Sequence, residues 1–113
     1  MKNVINKQDL PGSERARTFE GYHYGDIGVS FFLSDSPPGH GPSLHRHPYA
    51  EVFVMQEGQL TFTVGGDEIV ATGGQIVIAP AGTPHKFVNS GDGIARHIDI
   101  HTAAQMATEW LED

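Results

Sequence analysis

The segment Gly39-His40-Gly41-Pro42-Ser43-Leu44-His45-Arg46-His47-Pro48-Tyr49-Ala50-Glu51 sets two imidazoles two residues apart and a carboxylate four residues further on. In an extended chain residues i and i+2 point to one face, so His45 and His47 can reach a single ion. Glu51 can follow on that face if Pro48 and Tyr49 turn the chain between strands. Imidazole nitrogen with carboxylate oxygen is a borderline donor set that suits iron, manganese, cobalt, nickel, copper or zinc. A fourth donor must come from elsewhere. His85 follows Pro80-Ala81-Gly82-Thr83-Pro84, so two prolines and a glycine govern its approach, more local control than a solvent-facing histidine needs.

Composition narrows the chemistry. The 113 residues contain no cysteine, which excludes disulfides, thiolate zinc sites, cysteine nucleophiles and iron–sulfur clusters. Any metal must be held by nitrogen and oxygen. A formal charge of −7 argues against nucleic acid or an anionic membrane as partner, since both reward clustered Lys and Arg. The first nine residues lack the apolar stretch of a signal peptide, and no window reaches the length of a membrane span. The expectation is a soluble, cytoplasmic protein with no nucleic-acid and no membrane partner. No tethered DNA-binding domain is read, so a self-contained transcription regulator is not expected.

The elements that must position these residues are short. Fourteen glycines and seven prolines punctuate the chain, and apolar runs alternate with turn residues from Thr18 onward. Strands are predicted over Phe19 to Tyr24, Ile27 to Leu33, Glu51 to Met55, Leu60 to Val64, Glu68 to Ala71, Ile76 to Ala79, His85 to Val88 and Ile94 to Ile100. Gly65-Gly66-Asp67 suits a hairpin. Residues 1–17 read as a polar lead-in or edge strand, and residues 18–113 as one all-β domain. Val52-Phe53-Val54-Met55 and Ile76-Val77-Ile78-Ala79 are apolar on both faces, which predicts that a second sheet or a partner subunit covers one of them; a homodimer is the preferred cover. A short C-terminal helix is predicted from the Thr102-x-x-Gln105 capping box and the Met106/Trp110 pair.

With these residues in place, the sequence resembles the cupin superfamily. That family's first motif, G-x5-H-x-H-x3,4-E-x6-G, is met by Gly39, His45, His47, Glu51 and Gly58; its second, G-x5-P-x-G-x2-H-x3-N, by Gly74, Pro80, Gly82, His85 and Asn89. The motifs run from Gly39 to Asn89, about half the chain. The resemblance implies a small jelly-roll, double-stranded β-helix barrel in which His45, His47, Glu51 and His85 bind one divalent transition metal: iron, manganese, nickel or zinc. The alternative is a barrel that keeps the polar cluster without a metal. Gly58, Gly74, Pro80 and Gly82 are read as turn makers, and Asn89 as a turn or hydrogen-bonding residue.

His97, Asp99 and His101 form a row on one strand face, alternating with Ile98 and Ile100; a solvent face is preferred over a second metal site. His23 and His40 are read as surface too, with a proton-shuttling role for His40 as the alternative. Arg46 and Lys86, each adjacent to a predicted ligand, should point away from the ion, whereas Arg96 can point inward. Parity puts Phe53 and Met55, with Phe62, on the wall of an apolar substrate pocket. Four protein ligands leave open positions on an ion that takes six, so a metal-dependent, dioxygenase-like oxidoreductase acting on a small organic molecule leads. The alternatives are a non-catalytic metal- or small-molecule-binding module and a metal-assisted isomerase or decarboxylase.

Overall fold

Val, Ile, Phe and Thr broken by Gly and Pro every few positions favour short strands over helices. The structure, a computed structural model, describes residues 3–113; Met1 and Lys2 of the polar lead-in lie outside the described residues. Eleven strands are described: β1 Gly12–Ser13, β2 Ala16–Glu20, β3 Ser30–Ser36, β4 His45–Arg46, β5 Glu51–Glu57, β6 Gln59–Val64, β7 Asp67–Thr72, β8 Ile76–Ala79, β9 His85–Asn89, β10 Ala95–His101 and β11 Glu109–Trp110. Two antiparallel sheets result, in the orders β1-β2-β3-β10-β5-β8 and β11-β4-β9-β6-β7. This is the expected all-β jelly-roll barrel.

The core sits at one level of the barrel and the polar residues at another. Inward parity on β5 places Glu51, then Phe53 and Met55; these pair across the sheet with His101, Asp99 and His97 of β10. Phe53, Met55, Leu60, Phe62, Ala71, Val77, Ala79 and Ala95 make one buried apolar cluster. Ile76 and Ile78 on the edge strand β8 face outward and are each about three fifths exposed, at 62% and 61%.

Three local expectations are corrected. Residues Gly21–Tyr24, expected to extend a strand, form a 3-10 turn, and the following strand starts at Ser30, where it pairs with β2 and β10. No helix forms after Thr102. The Thr102 hydroxyl donates to the Ala50 carbonyl at 2.7 Å, and the Ala103 and Ala104 carbonyls accept from the Ser30 hydroxyl, Ala104 from the Tyr22 amide as well. With those groups committed to tertiary partners a capping box has nothing to cap. The tail instead crosses the barrel mouth as β11, paired with β4.

The motif residues read as structural are structural. Gly39, Gly58, Gly74 and Gly82 all have positive φ. Gly58, between β5 and β6, is the most constrained: φ is +83°, and an added Cβ would stand 2.7 Å from the Ile94 carbonyl oxygen. Gly58→Ala is therefore expected to cost about 1–3 kcal/mol, measured as a lowered urea midpoint; an unchanged midpoint would refute this account of the turn. Asn89 is buried, donating to the Ser36 and Gly93 carbonyls and accepting from the Gly91 amide, all at 2.8–2.9 Å.

Candidate metal centre

Three strands and one turn bring the four motif side chains together. His45 begins β4, paired directly with His85 of β9. His47 follows in the turn that Pro48 opens, and Glu51 begins β5. One donor atom from each of His45, His47, Glu51 and His85 lies within 4.8 Å of every other, and all four residues are buried. Gly82 contributes through the backbone, its amide donating to the His47 carbonyl at 2.8 Å, so the second motif's turn is tied to the first motif's ligand loop.

The hydrogen bonds behind the cluster fix which nitrogen each ring presents. Nδ1 of His45 donates to the Ser43 carbonyl at 2.7 Å, that of His47 to Ala107 at 2.8 Å, and that of His85 to Thr83 at 2.8 Å. With the Nδ1 protons committed, three Nε2 lone pairs turn inward. There they meet Glu51: its Oε1 is 3.0 Å from His47 Nε2 and 3.1 Å from His85 Nε2. A lone pair facing a carboxylate oxygen at that distance requires a proton or a cation between them. His47 Nε2 is moreover buried without a hydrogen bond. Three neutral nitrogens, one of them buried without a hydrogen bond, and one carboxylate fit a divalent transition metal.

The other oxygen of Glu51 is held separately. His101 Nε2 stands 3.2 Å from Oε2. Its Nδ1 accepts from the Tyr49 hydroxyl at 2.6 Å, and that hydroxyl accepts from the Ala107 amide at 3.1 Å. Glu51 is thus split into one neutralised oxygen and one offered to the cluster. Burial alone would raise the Glu51 pKa, but the imidazoles of His101, His47 and His85 around it hold it far below the ordinary carboxylate range. Burial lowers that of His45, against the bond to the Ser43 carbonyl; His85 is also penalised by burial, yet the Glu51 carboxylate beside it raises it overall. Tyr49 is raised by burial.

Two predictions follow from these bonds. Tyr49→Phe breaks the chain to His101 and is expected to weaken metal affinity about 10- to 100-fold, read by competition with a chromogenic chelator, while the fold persists; unaltered affinity would remove Tyr49 from the centre. Glu51 has a depressed folded pKa, so its stabilisation is present above the unfolded value and lost as pH falls through the folded one. In metal-free protein the stability gap between wild type and Glu51→Gln should therefore shrink steadily on acidification, by denaturant titration at several pH values. A gap that widens would contradict the assignment.

A cavity of about 330 Å³ opens on Glu51, His45 and His101, with Phe32, Phe87 and Trp110 among its walls. Phe53, Met55 and Phe62, expected on that wall, lie instead in the packed core, although the Phe53 ring is 5.9 Å from that of His85. The expected solvent row is also reversed: His97, Asp99 and His101 are 1%, 4% and 2% exposed. Strand β10 is central, between β3 and β5, and its polar face is the inner one. Ile98 and Ile100 take the outer face, where they are only half-buried. Arg96 turns outward to Asp35 at 3.2 Å, and Arg46 and Lys86 reach Glu109 and Glu112 at the surface. His23 and His40 are exposed, His40 at the cavity rim.

Fold and cluster together define a small double-stranded β-helix with a histidine–carboxylate centre inside it. The chain belongs to the cupin family, whose cupin-domain model matches residues 32–101. The HTH-type transcriptional regulator PuuR of Escherichia coli (strain K12) is 33% identical over 57 residues, 50% of this chain and 31% of PuuR. This chain therefore spans about a third of the length of the curated relatives it matches. Among solved structures, an uncharacterized conserved protein with a double-stranded β-helix domain from Klebsiella pneumoniae aligns over 100% of both chains, at 16% identity and TM-score 0.73. Oxalate decarboxylase from Bacillus subtilis aligns over 98% of this chain and 33% of its own, at 20% identity and TM-score 0.80. At those identities the structures speak for the fold.

Proposed function

We propose that this cupin is a metal-dependent oxidoreductase of the dioxygenase-like kind, acting on a small organic molecule in the barrel. His45, His47, Glu51 and His85 hold the ion, one of iron, manganese, nickel or zinc. The observation that carries the reading is the convergence of three Nε2 atoms whose Nδ1 protons are committed to backbone carbonyls. When bound, iron or manganese supplies redox chemistry with dioxygen and, like zinc or nickel, a Lewis acid. The chain's own residues do the rest: Phe32, Phe87 and Trp110 give the ligand apolar walls, and Tyr49 with His101 keeps Glu51 in place.

The test is metal analysis followed by an oxygen electrode. Protein purified without added ions should hold about one transition metal per chain, and the loaded protein should consume oxygen with some member of a panel of catechols, diketones and thiols. No uptake of iron, manganese, nickel or zinc would sink the centre. Metal without oxygen consumption, but with tight binding of a panel member, would favour the second reading, a non-catalytic binding module. That reading has its own support, because half of the chain matches part of a transcriptional regulator. The same match leaves the expectation of no nucleic-acid partner without support. A metal-assisted isomerase or decarboxylase would turn the substrate over without oxygen.

The same proposal includes a homodimer, formed where Ile76 and Ile78 leave the edge strand β8 apolar toward solvent; sedimentation should give twice the chain mass, and Ile78→Lys should reduce it. No helix among the described residues is long and apolar enough to cross a membrane. The cytoplasmic placement rests on the cysteine-free composition.

A further inference from the structure

A second buried polar chain lies beside the cluster and has no part in holding it. Ser36 Oγ is 2.9 Å from His97 Nε2, and His97 Nδ1 is 2.5 Å from Asp99 Oδ1. Asp99 is set between Phe32 of β3 and Phe53 of β5, and the groups that act on it are all close to the centre: His97 and His101 on its own strand, Glu51 from β5 and His85 from β9. On the β3 side the one charged residue, Asp35, turns to Arg96 and Lys7 at the surface. No lysine or arginine therefore compensates this carboxyl, and an apolar side chain would serve stability as well or better.

What distinguishes Asp99 is its access. It lines the same cavity as Glu51, His45 and Ser36. One oxygen takes the proton of His97, and among the described residues no hydrogen bond occupies the other. His97 is held in turn at its far nitrogen by Ser36, so the carboxyl cannot swing away from the cavity without breaking its bond to a ring that is itself anchored.

We propose that Asp99 accepts the proton of a ligand hydroxyl in this cavity, with His97 and Ser36 as positioning residues. The ligand class is a small molecule with a hydroxyl beside a second oxygen: a catechol, an enediol or an α-hydroxy ketone. In the step, the ligand O–H bond breaks, the proton passes to the free oxygen of Asp99, and the electron pair stays on the ligand as an oxyanion facing the four-residue centre. No oxidant or other co-reactant is consumed. The inference rests on the metal reading of that centre, since an oxyanion beside Glu51 without a cation would be repelled. Burial pushes the Asp99 carboxyl above the usual aspartate range, against the bond from His97, toward the pH at which a base works best.

The experiment uses zinc-loaded protein and 4-nitrocatechol, whose absorbance reports its ionisation. Metal content is measured first, then affinity and the number of protons released to buffer, by titration calorimetry in buffers of differing ionisation enthalpy. Wild type should release about one proton fewer per ligand than Asp99→Asn, which keeps the bond to His97 but takes up no proton. Affinity in that variant should fall about tenfold or more, with zinc content unchanged. Ser36→Ala, half-buried and less disruptive, should shift both quantities in the same direction by less. Zinc bound but Asp99→Asn equal to wild type in both quantities would overturn the role of Asp99 and leave the centre standing. Zinc bound with no nitrocatechol binding to wild type would overturn it as well. Absence of zinc from wild type would overturn the metal reading and this inference with it. Because Ser36, His97 and Asp99 are also linked in the order of a serine nucleophile, labelling of Ser36 by a fluorophosphonate would overturn the proposed direction of proton transfer.

Discussion

His47→Ala is expected to lose bound metal and metal-dependent stability together. A ligand that binds only the native state stabilises it by an amount set by its concentration over its dissociation constant, about 2.7 kcal/mol at a hundredfold excess. For a chain of this size that is about 10 °C in Tm. His47 is the donor whose inward nitrogen makes no hydrogen bond, its one contact there being the Glu51 carboxylate 3.0 Å away, so its removal takes no hydrogen bond from the protein at that atom. What it does remove is the Nδ1 bond to Ala107, worth about 1 kcal/mol. The two contributions separate with a chelator: wild type and variant should differ by about 1 kcal/mol in its presence and by several times that with zinc added. Elemental analysis finding the same metal per chain in both proteins would remove His47 from the centre.

The centre was legible in the sequence because its spacing is covalent. Two imidazoles at i and i+2 share a strand face whatever the fold, and the glycines and prolines that return His85 to them are read directly as turns. What lay around the centre was less legible. Alternation in His97-Ile98-Asp99-Ile100-His101 separates two faces but does not say which is inner, and the usual assignment of polar residues to solvent fails where the barrel interior is itself the site. Tyr49, lying between two motif positions, is the one available signal; the pairing of Glu51 with His101 emerges only from the register of β5 and β10. The helix at Thr102 failed for a different reason. A capping box is a local preference worth about 1 kcal/mol, and Ser30, Tyr22 and Tyr49 offer that segment more bonds from across the fold than a helix of one or two turns would. Parity assigns Phe53 and Met55 the right face, but the apolar part of that face is closed by packing with Phe62 and Leu60 and does not reach the cavity wall.

That closure makes Phe62→Ala the substitution expected to cost most in stability. Phe62 is fully buried, its ring centroid 4.9 Å from that of Phe53 and 5.6 Å from that of Phe87. Cutting a buried phenylalanine to alanine costs about 3–5 kcal/mol, transfer and cavity terms together, a large share of the roughly 5–15 kcal/mol that holds a domain folded. The effect should also reach the centre. Phe62 pairs with Phe87 on β9, the strand that begins at His85, and Phe53 packs at the edge of the His85 ring. A cavity behind them loosens His85 without removing any donor, so metal affinity should fall, but by less than in His47→Ala. Phe62→Leu, which fills part of the space, should recover part of both losses. Urea unfolding of the chelated proteins gives the first quantity and zinc competition the second. A cost below about 1 kcal/mol would mean that Phe62 is not the floor on which the centre rests.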